Sequence, residues 1–226
     1  MISGIYTSIN YFTLACLKDS SLIKKKPMIT KAQIEKAVKD KKYAWFEGTK
    51  DYDVNIVGVR NSVPGTKVTN VFDDLLTISC KINGKWAFYS WAITTDPGRR
   101  AMQECTNPKG VAILVPGQYR SSHVIGLHQG KYPALKQQKN VKVFRDKNKN
   151  QVFDMDPATI QEGIFGINIH RSNPTTQSEV VENWSEGCQV FKRVMDFNEF
   201  MAICNKAKEI HGNSFSYTLL TSGDIY

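Results

Sequence analysis

Beyond residue 53 the chain is written as a succession of short apolar runs separated by polar or glycine-containing breaks, and such a pattern folds as sheet. The runs predict strands over 54–59, 75–82 and 86–94, the last two joined through Asn83-Gly84, a hairpin turn pair. Further strands are expected over 111–115, 119–126 and 141–145. Another is expected over 151–154, across the polar turn 146–150, and another over 164–170, interrupted by Gly166. A final strand is expected over 215–220. Two segments carry helical spacing instead. Thr30-Lys31-Ala32-Gln33 has the form of a capping box and precedes Ile34, Ala37 and Val38, which predicts a helix over 30–42. A late helix is expected with Asp196 as its cap and Glu199 as box partner. Its apolar stripe is Phe197, Phe200, Met201, Cys204 and Ala207, and Gly212 ends it. The fold class read from this pattern is mainly β, with one late helix packed on the sheet.

A chain of 226 residues with 41% hydrophobic and 23% charged residues can bury a core, which argues against global disorder. Its net charge of +9 favours anionic partners such as nucleic acid, anionic lipid or an anionic wall polymer, without choosing among them. The surplus is uneven: residues 1–50 hold ten lysines and four acids, a balance of +6. Residues 1–50 therefore read as a basic, partly helical N-terminal extension, and residues 51–226 as the main domain. Lys24-Lys25-Lys26 reads as a solvated face. The apolar start, 2–17, carries Asn10 and lacks both a basic leading region and a small-residue cleavage site. It reads as part of the fold, with no transmembrane segment and no export signal. The five cysteines show no CxxC and no Cys/His metal spacing, so neither a disulfide framework nor a metal site is expected.

Against this background one stretch carries chemistry: GINIHRSNPTTQSEVVENWSEGCQVF, residues 166–191. A nucleophilic cysteine needs a base within reach, donors for the oxyanion and a backbone that exposes the sulfur. Ser185-Glu186-Gly187-Cys188 can supply the last two, since Gly187 permits a tight turn and the amides of Gly187 and Cys188 can face an oxyanion. His170, at the end of its strand, can supply the base and lower the thiol pKa. The bland alternative is a core cysteine beside a surface histidine.

The arrangement resembles the L,D-transpeptidase (YkuD-like) catalytic domain family. That family places a His at a strand end, a variable loop, then Ser/Thr-His-Gly-Cys. Here His170 is followed by fourteen residues and then Ser185-Glu186-Gly187-Cys188. Pro116-Gly117-Gln118-Tyr119 is similar to the family's Pro-x-Gly-aromatic segment, and WAITTDPG, residues 91–98, sits where the family has a strand ending in a small-residue turn. The resemblance covers about residues 54–220. Glu186 stands where the family has His, and Gln189-Val190-Phe191 lacks the polar residue that follows its Cys, for which Arg193 could substitute.

The resemblance implies a β-sandwich or barrel. It implies Cys188 as acyl-accepting nucleophile, His170 as general base and later acid, and Ser185 and Gly187 as turn and oxyanion residues. Glu186, Gln189, Tyr119, His128 and Arg193 are candidate substrate-binding residues. The implied partners are peptidoglycan stem peptides, attacked by acyl transfer or hydrolysis without metal or organic cofactor. A wall-active enzyme with no export signal fits a bacteriophage lysis or virion protein, or an effector carried by other machinery. One alternative is a catalytically degenerate wall-binding or virion structural protein of the same fold. Another is a basic nucleic-acid-binding protein, using Trp86, Phe88, Tyr89 and Trp91 for stacking; no nucleic-acid motif accompanies them, and cross-strand packing explains them as well. Asp146, Asn148, Asn150, Asp154 and Asp156 resemble half of a calcium loop, but Gln151 and Pro157 replace residues that loop needs, so a polar turn is the reading.

Overall fold

The structure, a computed structural model, describes residues 29–226. Among the described residues, eleven strands and three α-helices follow one another. Helix α1 (Lys31–Asp40) leads into β1 (Asn55–Arg60), β2 (Asp74–Ile82) and β3 (Lys85–Thr94). Helix α2 (Arg99–Glu104) precedes β4 (Val111–Leu114), β5 (Gly117–His128), β6 (Tyr132–Gln137) and β7 (Val141–Asp146). The short strands β8 (Gln161–Gly163), β9 (Ile169–Arg171) and β10 (Gln189–Phe191) come next, then α3 (Val194–His211) and β11 (Phe215–Thr221). Eight of the strands close a barrel in the order β1-β11-β5-β6-β9-β10-β3-β2, and β4-β7-β8 form a separate sheet. The barrel is antiparallel except where β1 meets β11 and where β9 meets β10.

Alternation along the strands decides what each face covers. On β3, Trp91 and Ile93 face the central core, whereas Trp86 and Phe88 face α1. On β4, Ala112 and Leu114 face the central core, while Val111 and Ile113 face a second cluster with Met102, Phe144 and Phe153. Helix α3 sends Phe197, Phe200, Met201, Ile203, Cys204 and Ala207 into the central core. The aromatic residues expected in the β2–β3 region are thus engaged in packing: Trp86 lies 6.1 Å from Trp45, and Trp91 packs edge-on against Phe200 at 6.0 Å.

Several expectations hold in detail. Asn83 and Gly84 both take positive φ, 52° and 72°, as the hairpin between β2 and β3 requires. The Thr30–Gln33 capping box forms, and Ile34, Ala37 and Val38 are the buried residues of α1. They pack on Val57, Val59 and Leu220, so residues 29–50 lie against the barrel wall. Residues 1–28, including the apolar start, Cys16 and Lys24-Lys25-Lys26, fall outside the described residues.

Others are corrected. No strand forms over 151–154: Lys149 and Gln151 take left-handed backbone, φ 60° and 62°, which breaks an extended run. Only Val152 makes an isolated bridge, to Lys67. The run 164–170 is strand only in β9, because Gly166 turns the chain at φ 75° and Gln137 Oε1 accepts the amides of Phe165 and Ile167. Helix α3 starts two residues before the expected cap. Its N-cap is Arg193, Asp196 lies in the first turn, and Glu199 accepts from Trp91 Nε1 rather than closing a capping box. Among the described residues, no helix is long and apolar enough to cross a membrane, and no group of three His, Cys, Asp or Glu residues is placed to hold a metal ion.

Candidate active site

Cys188 closes the loop that leads into β10, and His170 is the middle residue of β9. The two strands are parallel neighbours, with Gln189 aligned to Ile169 and Val190 to His170. Cys188 is therefore two positions before the residue opposite His170, on the same face, with Cα atoms separated by about 8 Å on ordinary strand spacing. Both residues line one cavity of about 1000 Å³, shared with His128, Tyr132, Asn168 and Trp184.

The turn that presents Cys188 is held from several sides. Gly98 N donates to Ser185 O at 2.9 Å, and Ala112 N donates to Glu186 O at 3.3 Å. Ser185 Oγ donates to Cys188 O at 2.8 Å and accepts from Gly187 N at 3.1 Å. Gly187 has φ 131°, and a Cβ there would sit 1.8 Å from Ala112 O, so only glycine lets the turn lie against β4. Ser185 thus shapes the turn. The same bond corrects the expected oxyanion pair: Gly187 N–H is engaged by Ser185, leaving the Cys188 amide as the donor of the two that Ser185 does not occupy.

The imidazole is oriented by its Nδ1. That nitrogen donates to Arg171 O at 2.8 Å and lies 3.3 Å from Tyr132 Oη, which assigns the proton to Nδ1 and leaves Nε2 with the lone pair of a base. His128 stacks on the ring, with centroids 4.0 Å apart and planes 23° from parallel, and is itself held by Asn168 Nδ2 donating to its Nδ1 at 3.2 Å. Burial first, then the neighbouring His128, brings the His170 pKa down to about 3. Burial and the charges of Lys131, Lys136 and Arg171 lower that of His128.

The thiol does not match the expectation of a lowered pKa. Cys188 is partly exposed, yet desolvation pushes its thiol up to about 11, with Glu186 adding to the rise and the Asn168 amide opposing it. Sγ donates to Gly166 O at 3.2 Å. The resting pair is therefore a neutral thiol and a neutral imidazole.

The remaining candidates divide. His128 and Glu186 line the cavity; Tyr119, Gln189 and Arg193 do not. Tyr119 Oη donates to Val115 O at 2.6 Å and packs against the core. Gln189 is fully buried, donates to Gly187 O and accepts from Tyr217 Oη at 2.8 Å, so it braces the turn from inside the barrel. Arg193 caps α3 and faces Asp196 at 3.6 Å. Sequence reasoning passed over Tyr132, Asn168 and Arg171 and read Gly166 only as a strand break. Tyr132 sits in a strand hidden by Pro133 and a polar tail; only Arg171, next to the proposed base, carried a signal that could have been used. A second cavity of about 690 Å³ lies beside the 146–150 turn, lined by Asp146, Asn148, Asp154 and Asp156.

No family model matches the chain, no curated protein matches it, and no solved structure matches it.

Proposed function

We propose that this chain carries out cysteine-dependent acyl transfer or hydrolysis on peptidoglycan stem peptides, in the manner of the L,D-transpeptidase family it resembles. The observation that carries the reading is that Cys188, which immediately precedes β10, and His170, in its parallel neighbour β9, line one cavity. In the proposed reaction His170 Nε2 takes the thiol proton as Sγ bonds to the scissile carbonyl carbon. The tetrahedral oxyanion receives the Cys188 amide. Collapse breaks the C–N bond, and the imidazolium returns its proton to the leaving amine. The thioester then passes to an amine, forming a cross-link, or to water, completing hydrolysis. Delivery to the wall by lysis, virion or secretion machinery belongs to the same proposal, and the net charge of +9 suits an anionic polymer.

Incubating the protein and its Cys188→Ser variant with cross-linked muropeptides, with mass spectrometry of protein and products, tests this. The wild type is expected to carry an acyl adduct on Cys188 and to alter the muropeptides; the variant should do neither. Identical behaviour without an adduct refutes the reading. A second reading, a catalytically degenerate wall-binding or virion structural protein, draws on one specific observation: the thiol is raised to about 11 and donates to Gly166 O rather than facing a charged base. Sedimentation with purified sacculi, unchanged in the Cys188→Ser variant and without any adduct, would favour that reading.

A further inference from the structure

The cavity that holds Cys188 and His170 carries more positive charge than its own chain neutralises. Lys131, Arg145 and Arg171 line it, against a single acid, Glu186. Among the described residues none of these three cations has a carboxylate within ion-pairing distance. The guanidinium partners are neutral. Arg171 lies over the Tyr132 ring, 4.1 Å from its centroid, and donates to Ser172 O at 3.3 Å. Arg145 lies over Phe165 at 4.8 Å and donates to Gln161 Oε1 at 3.2 Å and Gly110 O at 3.1 Å. A guanidinium has five N–H donors in a fork that fits a carboxylate, so both arginines keep donors unspent. Both are half-buried, and burial holds the Arg145 pKa below the usual guanidinium value. A partly desolvated cation with neutral partners is completed by an anion from outside.

The position of Arg171 gives the anion a place relative to the chemistry. It follows His170 in β9, and Tyr132 links the two: its ring carries the guanidinium, and its hydroxyl lies 3.3 Å from His170 Nδ1. We propose that the cavity selects acyl donors bearing a free carboxylate close to the scissile carbonyl, with Arg171 as the main carboxylate-binding residue and Arg145 as the second. Donors in which that carboxylate is amidated are discriminated against, because a neutral amide cannot pair with the fork. The identity of the donor as a stem peptide rests on the function proposed above; the carboxylate preference does not require turnover.

Binding is therefore measured by calorimetry with the full chain carrying Cys188→Ser, using two synthetic stem-type tetrapeptides that differ only in a carboxylate or carboxamide on the residue that supplies the scissile carbonyl. The carboxylate peptide is expected to bind about tenfold tighter or more, as a charge-assisted bidentate pair allows. Adding Arg171→Gln should bring the ratio of affinities close to one, with the loss falling mainly on the carboxylate peptide, whereas a merely structural role would weaken both peptides alike. Arg145→Gln should narrow the ratio less, and Arg171→Lys should keep part of it. Equal affinities, binding of neither peptide, or a ratio unmoved by Arg171→Gln would overturn the proposal. Should Arg171→Gln fail to fold, an unchanged ratio in both Arg171→Lys and Arg145→Gln overturns it instead. A carboxylate preference with no adduct on wild-type Cys188 would leave this site standing and remove the acyl transfer; an adduct without preference would do the reverse.

Discussion

Cys188 and His170 are the residues on which the proposed chemistry rests, and their environments would set its pH behaviour. Desolvation raises the Cys188 thiol to about 11 and lowers His170 to about 3, so the thiolate–imidazolium pair of many cysteine enzymes is not the resting state. Alkylation of Cys188 by iodoacetamide, followed by peptide mapping, should accelerate about tenfold per pH unit between about pH 7 and pH 10, in step with the thiolate fraction. A plateau reached near neutrality would show a pre-formed ion pair and refute that assignment. The motif Ser185-Glu186-Gly187-Cys188 was legible because each residue has a separate local job: Ser185 caps the turn on both sides, and Gly187 lacks the Cβ that Ala112 O would meet at 1.8 Å. The spacing could not reveal that the same serine occupies the Gly187 amide, since that depends on where a hydroxyl points after folding.

At the scale of elements, the short strands β9 and β10 set the site, and the barrel interior braces them. Gly58 in β1 leaves room for the Tyr217 hydroxyl, which a Cβ at 58 would approach to 2.0 Å. Tyr217 in turn donates to Gln189 Oε1, and Gln189 Nε2 donates to Gly187 O. A chain of contacts thus runs from β1 to the turn that carries Cys188. Gly58→Ala is expected to cost about 2 kcal/mol through overpacking, and Tyr217→Phe about 1 kcal/mol through one lost hydrogen bond, both read from urea midpoints. A Gly58→Ala protein within about 0.5 kcal/mol of wild type would contradict this. The long strands were readable because alternation persists over many residues. Strand β6 was hidden by Pro133 and its polar tail, α2 buries only Ala101 and Met102, and β10 is three residues long. Such elements exist because neighbours supply hydrogen bonds and cover, not because their own residues demand them.

Across the whole molecule, buried titratable groups make stability depend on pH. His123 is buried, bonded through Nε2 to Ile167 O and through Nδ1 to Ser122 Oγ, and burial lowers its pKa to about 4. The unfolded chain takes up that proton near 6.5, so between about pH 6.5 and 4 it binds more protons and stability falls as pH falls. His170 has the same sign, down to about 3. Asp74 has the opposite sign: burial and Asp96 raise it to about 7, so the stability it contributes is lost as pH rises from about 4 to 7. His128 shares the sign of the two histidines, whereas burial raises Asp146 and Asp196 as it raises Asp74, so the fall that His123 causes on acidification is read as the difference between wild type and variant. His123→Asn should flatten the fall by up to about 1.4 kcal/mol per pH unit. Urea titrations at several pH values check this, and an unchanged slope in the variant would count against it.

By itself the sequence determined the mainly β character, the hairpin at Asn83-Gly84, the capped α1, the apolar face of α3 and the candidate pair His170 and Cys188. These rest on local physics: side-chain alternation, positive φ at a turn, hydrogen bonds reaching three residues. Tertiary structure alone decided that the sheet closes as β1-β11-β5-β6-β9-β10-β3-β2 and that Tyr119 faces the core. It also decided that His128 stacks on His170 and that Arg171 and Arg145 meet at one cavity. Those outcomes depend on which distant segments share a wall, and on how much water each charge loses there, and no pattern along a single chain encodes either.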